Sequence, residues 1–181
     1  MKESINKTFN HFKVHTQYSI CEGAVKIDQL KDFCKTNKIK SLGISDTYNL
    51  SGALEFSENL SSVGTQPIIG SQISFKYKDF IGFIPLIAKN NVGYKNIIEL
   101  SSISYLENSE ITEPHCNFDD LLIKSSGIIV LSGSLSCLIG NLFNKGLFED
   151  INEIVEKLSN KFKNNFYIEI QRHNDFNEKE F

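Results

Sequence analysis

Apolar and polar residues alternate with period two in some stretches of the chain and recur at helical spacing in others. The strand-like stretches are 12–18, 41–45, 67–77, 80–88, 127–132 and 166–170. The helix-like stretches are 26–36, 50–60, 91–106, 118–124, 135–144 and 148–162. Asp46 reads as the start signal of the second helix and Asn90 as that of the third. Strands alternating with helices of this length predict an α/β fold with βαβ units and a largely parallel sheet. One stretch departs from the pattern. In "IIGSQISFKYKDFIGFIPLIAK" two apolar runs flank Lys78–Asp79, which predicts a hairpin inserted in the sheet. The polar, proline-containing stretch 107–117 reads as a surface loop.

At 181 residues the chain is long enough for one domain with its own core, and no repeat or low-complexity linker divides it. With 40% apolar and 23% charged residues the composition is that of an ordinary globular protein. No apolar run reaches membrane-spanning length, and the polar start "MKESINKTFN" lacks the apolar middle of a secretory signal. The expected location is therefore cytoplasmic, with no membrane partner. The net charge is −3, and Arg172 is the only arginine. A surface built to hold phosphate backbones shows a basic face with several arginines, so this chain alone is a poor candidate for direct DNA binding. Cys21, Cys34, Cys116 and Cys137 form no CxxC pair and match no zinc-finger spacing, so free thiols are expected.

Candidate chemistry gathers at predicted strand ends, where α/β proteins keep their sites. In "FKVHTQYSICEGA" a histidine, a hydroxyl and a carboxylate (His15, Ser19, Glu22) follow one another as the first strand runs out. In "YIEIQRH", Glu169, Gln171 and His173 alternate onto one face. "SGSLSCLIGN" has the outline of an anion-binding strand-to-helix turn, but it lacks a GxGxxG and a P-loop lysine, so an ordinary turn is expected. His11 and His115 read as a packing residue and a solvated one.

Six stretches, "HFKVHTQYSICEGAVKI", "LGISDTYNLSGALEF", "QPIIGSQISF", "LIAKNNVGYKNIIELSS", "GIIVLSGSLS" and "FYIEIQRH", occur in that order. Together they resemble the N-terminal polymerase-and-histidinol-phosphatase (PHP) domain of bacterial DNA polymerase III alpha subunits. The resemblance implies a PHP-type distorted (β/α)7 barrel. Such a barrel commonly needs 200 or more residues, so the chain is expected to be an incomplete N-terminal portion of one PHP domain. In family members with an intact site, histidine, carboxylate and cysteine ligands hold a metal cluster suited to phosphoester hydrolysis.

The implied ligand positions have largely changed here. The family's His-x-His reads Lys13-Val14-His15, and a protonated lysine cannot ligate. Glu22 replaces an aspartate. Asp46 is kept, with helix capping as a sufficient structural reason, but Thr47 replaces the histidine after it. Gln72 replaces a glutamate, Phe83 a frequent histidine and Ser134 a cysteine. His173 is the best remaining polar candidate, in a framework role. Only His15 is unchanged and Glu22 a near substitute, short of the three or four ligands a metal site needs. No catalytic residue, metal or other cofactor is therefore expected in this stretch. Lys13 is expected to supply the lost positive charge, pairing with Glu22 or with a neighbour of His173.

The resemblance further implies that the whole protein is a DNA-directed DNA polymerase. Its magnesium and its contacts to primed DNA would lie in later domains. Its partners would be a proofreading exonuclease subunit and other replicase subunits, with this stretch as scaffold and docking surface. The alternative is a PHP-type metal-dependent phosphoesterase or 3′→5′ exonuclease.

Overall fold

A computed structural model describes residues 9–106, 113–171 and 180–181. Helix α1 (Ile27–Asn37) buries Ile27, Leu30 and Cys34, an i, i+3, i+7 stripe, and ends at Lys38 in the left-handed conformation (φ 52°). Strand β1 (Ser41–Thr47) follows, then α2 (Ala53–Ser61), whose buried Ala53, Phe56 and Leu60 repeat the same stripe. Together with Leu42 and Ile44 of β1, these helices enclose the smaller of two apolar clusters.

The predicted hairpin is present. Strands β2 (Gln66–Tyr77) and β3 (Phe80–Ala88) pair antiparallel and turn at Lys78–Asp79, where Lys78 takes a positive φ of 54°. Helix α3 (Asn91–Leu106) starts at Asn90, whose side-chain oxygen accepts the Gly93 N–H at 3.0 Å. A short β4 (Cys116–Asn117) pairs with the end of β2, and a capping box between Asn117 and Asp120 starts α4 (Phe118–Ile123). The rest is β5 (Ile128–Leu131), α5 (Leu138–Asn144), α6 (Phe148–Phe162) and β6 (Phe166–Tyr167). Residues of β2, β3 and β5 pack against α3 to α6 in the larger apolar cluster.

The strand order is β1-β2-β3-β5-β6, with β4 beside β2. Pairs β1/β2, β2/β4 and β5/β6 are parallel, whereas β2/β3 and β3/β5 are antiparallel. The sheet is thus mixed rather than largely parallel, because the hairpin reverses its middle.

Other expectations need correction. Stretch 12–18 is not a strand but two isolated bridges, Val14 to Ile44 and Thr16 to Val25. It lies along the outer edge of β1, where the Gly43 N–H donates to His11 O (2.7 Å) and the Ser45 N–H to Val14 O (2.9 Å). Gly43 permits this approach, since a Cβ there would sit 2.7 Å from the Phe12 backbone. After Thr16 the chain leaves β1 in turns closed by Ser19 N–H to Thr16 O and Glu22 N–H to Ser19 O. The expected strand 166–170 shortens to Phe166–Tyr167, and helix 50–60 begins only at Ala53. Helix 135–144 begins at Leu138, because a turn closed by the Cys137 N–H on Ser134 O takes up the residues before it. Of the stretch 107–117, residues 107–112 lie outside the described residues, as does His173.

Candidate functional site

The polar cluster forms where the 13–22 segment meets the end of β1. Its floor is Asp46, 1% exposed and inside β1. Asp46 is therefore not a helix cap; the residue before α2 is Gly52. One carboxylate oxygen accepts the Thr16 N–H (2.6 Å) and the Ser19 hydroxyl (2.7 Å), and the other accepts the Thr16 hydroxyl (2.7 Å). Ser19 in turn accepts the Thr47 N–H at 3.1 Å. Neutral donors from one turn thus hold a buried carboxylate, and they fix that turn on the strand.

This anchorage positions the side chains above it. The Thr47 hydroxyl donates to Glu22 Oε2 at 2.5 Å. His15 Nδ1 lies 4.0 Å from the same oxygen and 3.5 Å from Ser19 Oγ. Burial lowers the His15 pKa from its ordinary value of 6.5 and the Lys13 ammonium pushes the same way, while the Glu22 carboxylate opposes both. Parallel pairing of Gln72 with Thr47 puts their side chains side by side on one face of the sheet. Gln72 Oε1 is buried without a hydrogen-bond partner.

Lys13 turns toward the far end of the sheet. Its Nζ lies 3.1 Å from Glu169 Oε1, and the two side chains are 15% and 14% exposed. The Gln171 amide donates to the same oxygen. The Glu169 N–H donates to Ser132 Oγ at 2.9 Å, which carries on the β5/β6 pairing by a side chain instead of the ladder. Glu169 Oε2 is buried without a hydrogen-bond partner.

The other positions singled out in the sequence make contacts of their own. Phe83 packs on Tyr48, ring centroids 5.1 Å apart. Ser134 bonds within its turn, to Ser136 Oγ at 3.0 Å, and sits with Glu169 beside a trough of about 530 Å³ between α5, α6 and residues 168–171. The four cysteines are free, as expected. His11 packs edge-on against Phe9 (4.8 Å), and His115 Nδ1 lies 2.8 Å from Glu113 O.

Sequence reasoning missed Thr16, whose amide and hydroxyl both reach Asp46. It also missed Tyr48. At a positive φ of 64°, Tyr48 places its hydroxyl against Ser74 (3.2 Å) and Glu113, and burial raises its pKa. The available signal was a tyrosine directly after a strand-end threonine. Its partner Glu113 lies 65 residues away, beyond any spacing argument.

These donors do not fit a metal cluster. His15 and Glu22 are two ligands, and the charged group paired with Glu169 is the Lys13 ammonium. Among the described residues no three His, Cys, Asp or Glu side chains are placed to hold a metal ion. What the arrangement offers is a set of polar groups held in place by one another.

A family model described as the PHP domain matches residues 11–173. The chain belongs to the PHP domain family. It is similar to DNA polymerase III subunit alpha of Caulobacter vibrioides, with 35% identity over 184 residues that cover 96% of this chain and 16% of that protein. The same subunit of Borreliella burgdorferi is 35% identical over 181 residues, covering 94% of this chain and 16% of the relative. The chain therefore spans only a small part of the relatives it matches. Among solved structures, an amidohydrolase from Chromobacterium violaceum shares the fold at a TM-score of 0.50 and 8% identity, over 89% of this chain and 85% of that one.

Proposed function

We propose that this chain is the N-terminal PHP module of a replicative DNA polymerase alpha subunit, and that the module binds rather than hydrolyses. One observation carries the second half. Where the family resemblance implies a metal cluster, the site holds a lysine paired with Glu169, and among the described residues too few ligands converge for a metal. A site without a metal has no group to lower the pKa of water, so it has no hydroxide nucleophile for phosphodiester hydrolysis. The whole protein would then extend primers with magnesium held in later domains, and proofreading would fall to a separate exonuclease subunit. Docking that subunit is the role left to this module. A cytoplasmic replicase fits the chain, since no helix among the described residues is long and apolar enough to cross a membrane.

The test is a pull-down or calorimetric titration of the full-length polymerase against its exonuclease, with and without residues 1–181. Loss of affinity on removal is the expected result; equal affinity refutes the docking role. In parallel, the purified polymerase is expected to hold no stoichiometric zinc, manganese or iron in this module. It is also expected to show no exonuclease activity that Lys13→His restores.

The surviving His15–Glu22 pair, 4.0 Å apart, favours the second reading, a metal-dependent phosphoesterase or exonuclease. Nuclease activity that vanishes in His15→Ala would establish it.

A further inference from the structure

The strand order raises a question of distance. Segment 11–16 lies outside β1, and β6 lies at the opposite end of the order β1-β2-β3-β5-β6. At about 4.8 Å per strand, a flat sheet would separate these two edges by about 24 Å, far more than two side chains span. Yet Lys13 beside one edge and Glu169 just past the other are 3.1 Å apart, with 156 residues between them in the chain. The sheet therefore curls until its two edges come within reach of two side chains, and the Lys13–Glu169 ion pair lies across the gap. No described backbone pairing joins β6 to the 11–16 segment.

Both groups are set for this. The Glu169 backbone is tied to β5 through Ser132 and its carboxylate receives Gln171 as well, so the acceptor is held before the lysine arrives. On the other side, the bonds of residues 11–14 to β1 and the grip of Asp46 on Thr16 hold the backbone from which Lys13 projects. The carboxylate's second oxygen is buried and unpaired, so Lys13 is the only cation shown against this group among the described residues. A single ammonium thus supplies charge where the described residues bring no convergent metal ligands.

We propose that Lys13 is the built-in cation of this cleft, a permanent replacement for a metal ion that closes the curled sheet by clasping Glu169. The clasp rests on the reading that the cleft is not a hydrolase, and it adds what keeps such a cleft shut. Metal ions come and go with pH and chelators; a lysine does not. The prediction is a module whose closure is indifferent to divalent cations and whose two far edges open together when one side chain is changed.

Hydrogen–deuterium exchange on the full-length protein tests it, read at residues 12–18, at 166–171 and in α3 as a control. Lys13→Met keeps much of the stem and removes the charge. It is expected to speed exchange in both edge segments by about tenfold, between the effects of breaking an exposed pair and a fully buried one, while α3 stays protected. Glu169→Gln is expected to act on the same two segments, and the double variant to be no worse than the more severe single. Lys13→Arg is expected to keep both edges protected. Micromolar zinc or a chelator is expected to leave the unmodified protein unchanged.

An effect of Lys13→Met confined to 12–18, additive effects of the two changes, or zinc-dependent protection of the unmodified protein would each overturn the clasp. If Lys13→Met also exposes α3, the milder Glu169→Gln decides by the same criteria. Hydrolysis of a primed template would instead count against the binding reading, through a separate readout.

Discussion

Two carboxylates of this module are buried in opposite ways. Asp46 lies inside a strand and is held by three neutral donors that all come from one turn, Thr16 to Ser19. Glu169 lies past the end of a strand and is held by a cation from the far edge of the sheet, with one oxygen unpaired. The first is a local clamp: it fixes a loop to the strand it has just passed. The second is a long-range clasp between elements 156 residues apart. The difference is between a contact made within one turn and a contact that depends on how far the sheet curls. The clamp needs no metal, because hydroxyls and an amide satisfy it. A carboxylate in the position of Glu169 still needs a positive charge, and Lys13 brings one.

The comparison breaks most visibly at Asp46. Asp46→Ala leaves the Thr16 amide and two hydroxyls buried without an acceptor, and is expected to cost about 3–5 kcal/mol by denaturant titration. Asp46→Asn keeps one oxygen acceptor and is expected to cost roughly half as much, since only part of the donor set is orphaned. A loss below about 1 kcal/mol for Asp46→Ala would mean that water replaces the carboxylate and that the turn is not clamped.

The clasp is expected to matter less. Lys13→Ala should cost about 1–3 kcal/mol, below a fully buried pair and above an exposed one, because both side chains keep a little access to solvent. Salt separates the two carboxylates. Raising ionic strength from about 0.05 to 1 M shortens the screening length severalfold. It should narrow the gap between the unmodified protein and Lys13→Ala while leaving the cost of Asp46→Ala almost unchanged. Equal salt sensitivity of the two variants would erase the distinction.

The frame was more legible in the sequence than the site. Helical stripes such as Ile27, Leu30 and Cys34 are one-dimensional patterns, and so is the hairpin around Lys78–Asp79; they appear where periodicity put them. Stretch 12–18 alternates like a strand, but Asp46 draws Thr16 and Ser19 into a turn, a tertiary interaction that periodicity does not encode. The same interaction explains the misreading of Asp46. A serine–aspartate pair before a helix looks like a cap, yet this aspartate is still in β1 and α2 begins seven residues later. Lys13 was expected to pair with Glu22 or with a neighbour of His173. It pairs with Glu169, four residues before that histidine, while Glu22 takes the Thr47 hydroxyl. Which acid it would choose depends on how far the sheet curls, and no local pattern records that.

The smallest expected effect belongs to His15, which senses both halves of the comparison. Burial lowers its pKa in the folded protein, Lys13 pushes it lower and Glu22 pulls it up. Above the ordinary imidazole value of about 6.5, His15 is neutral in both folded and unfolded chains and contributes no pH dependence. As pH falls through that value the unfolded chain takes up its proton first, so stability drops until the folded imidazole is protonated too. Unfolding titrations between about pH 7.5 and 5 should show this loss, and His15→Asn should flatten it. An NMR titration of the imidazole sharpens the point: its midpoint is expected below 6.5, higher in Lys13→Met and lower still in Glu22→Gln. A midpoint that ignores Lys13 would mean that the ammonium is too well screened to act on the site it is proposed to fill.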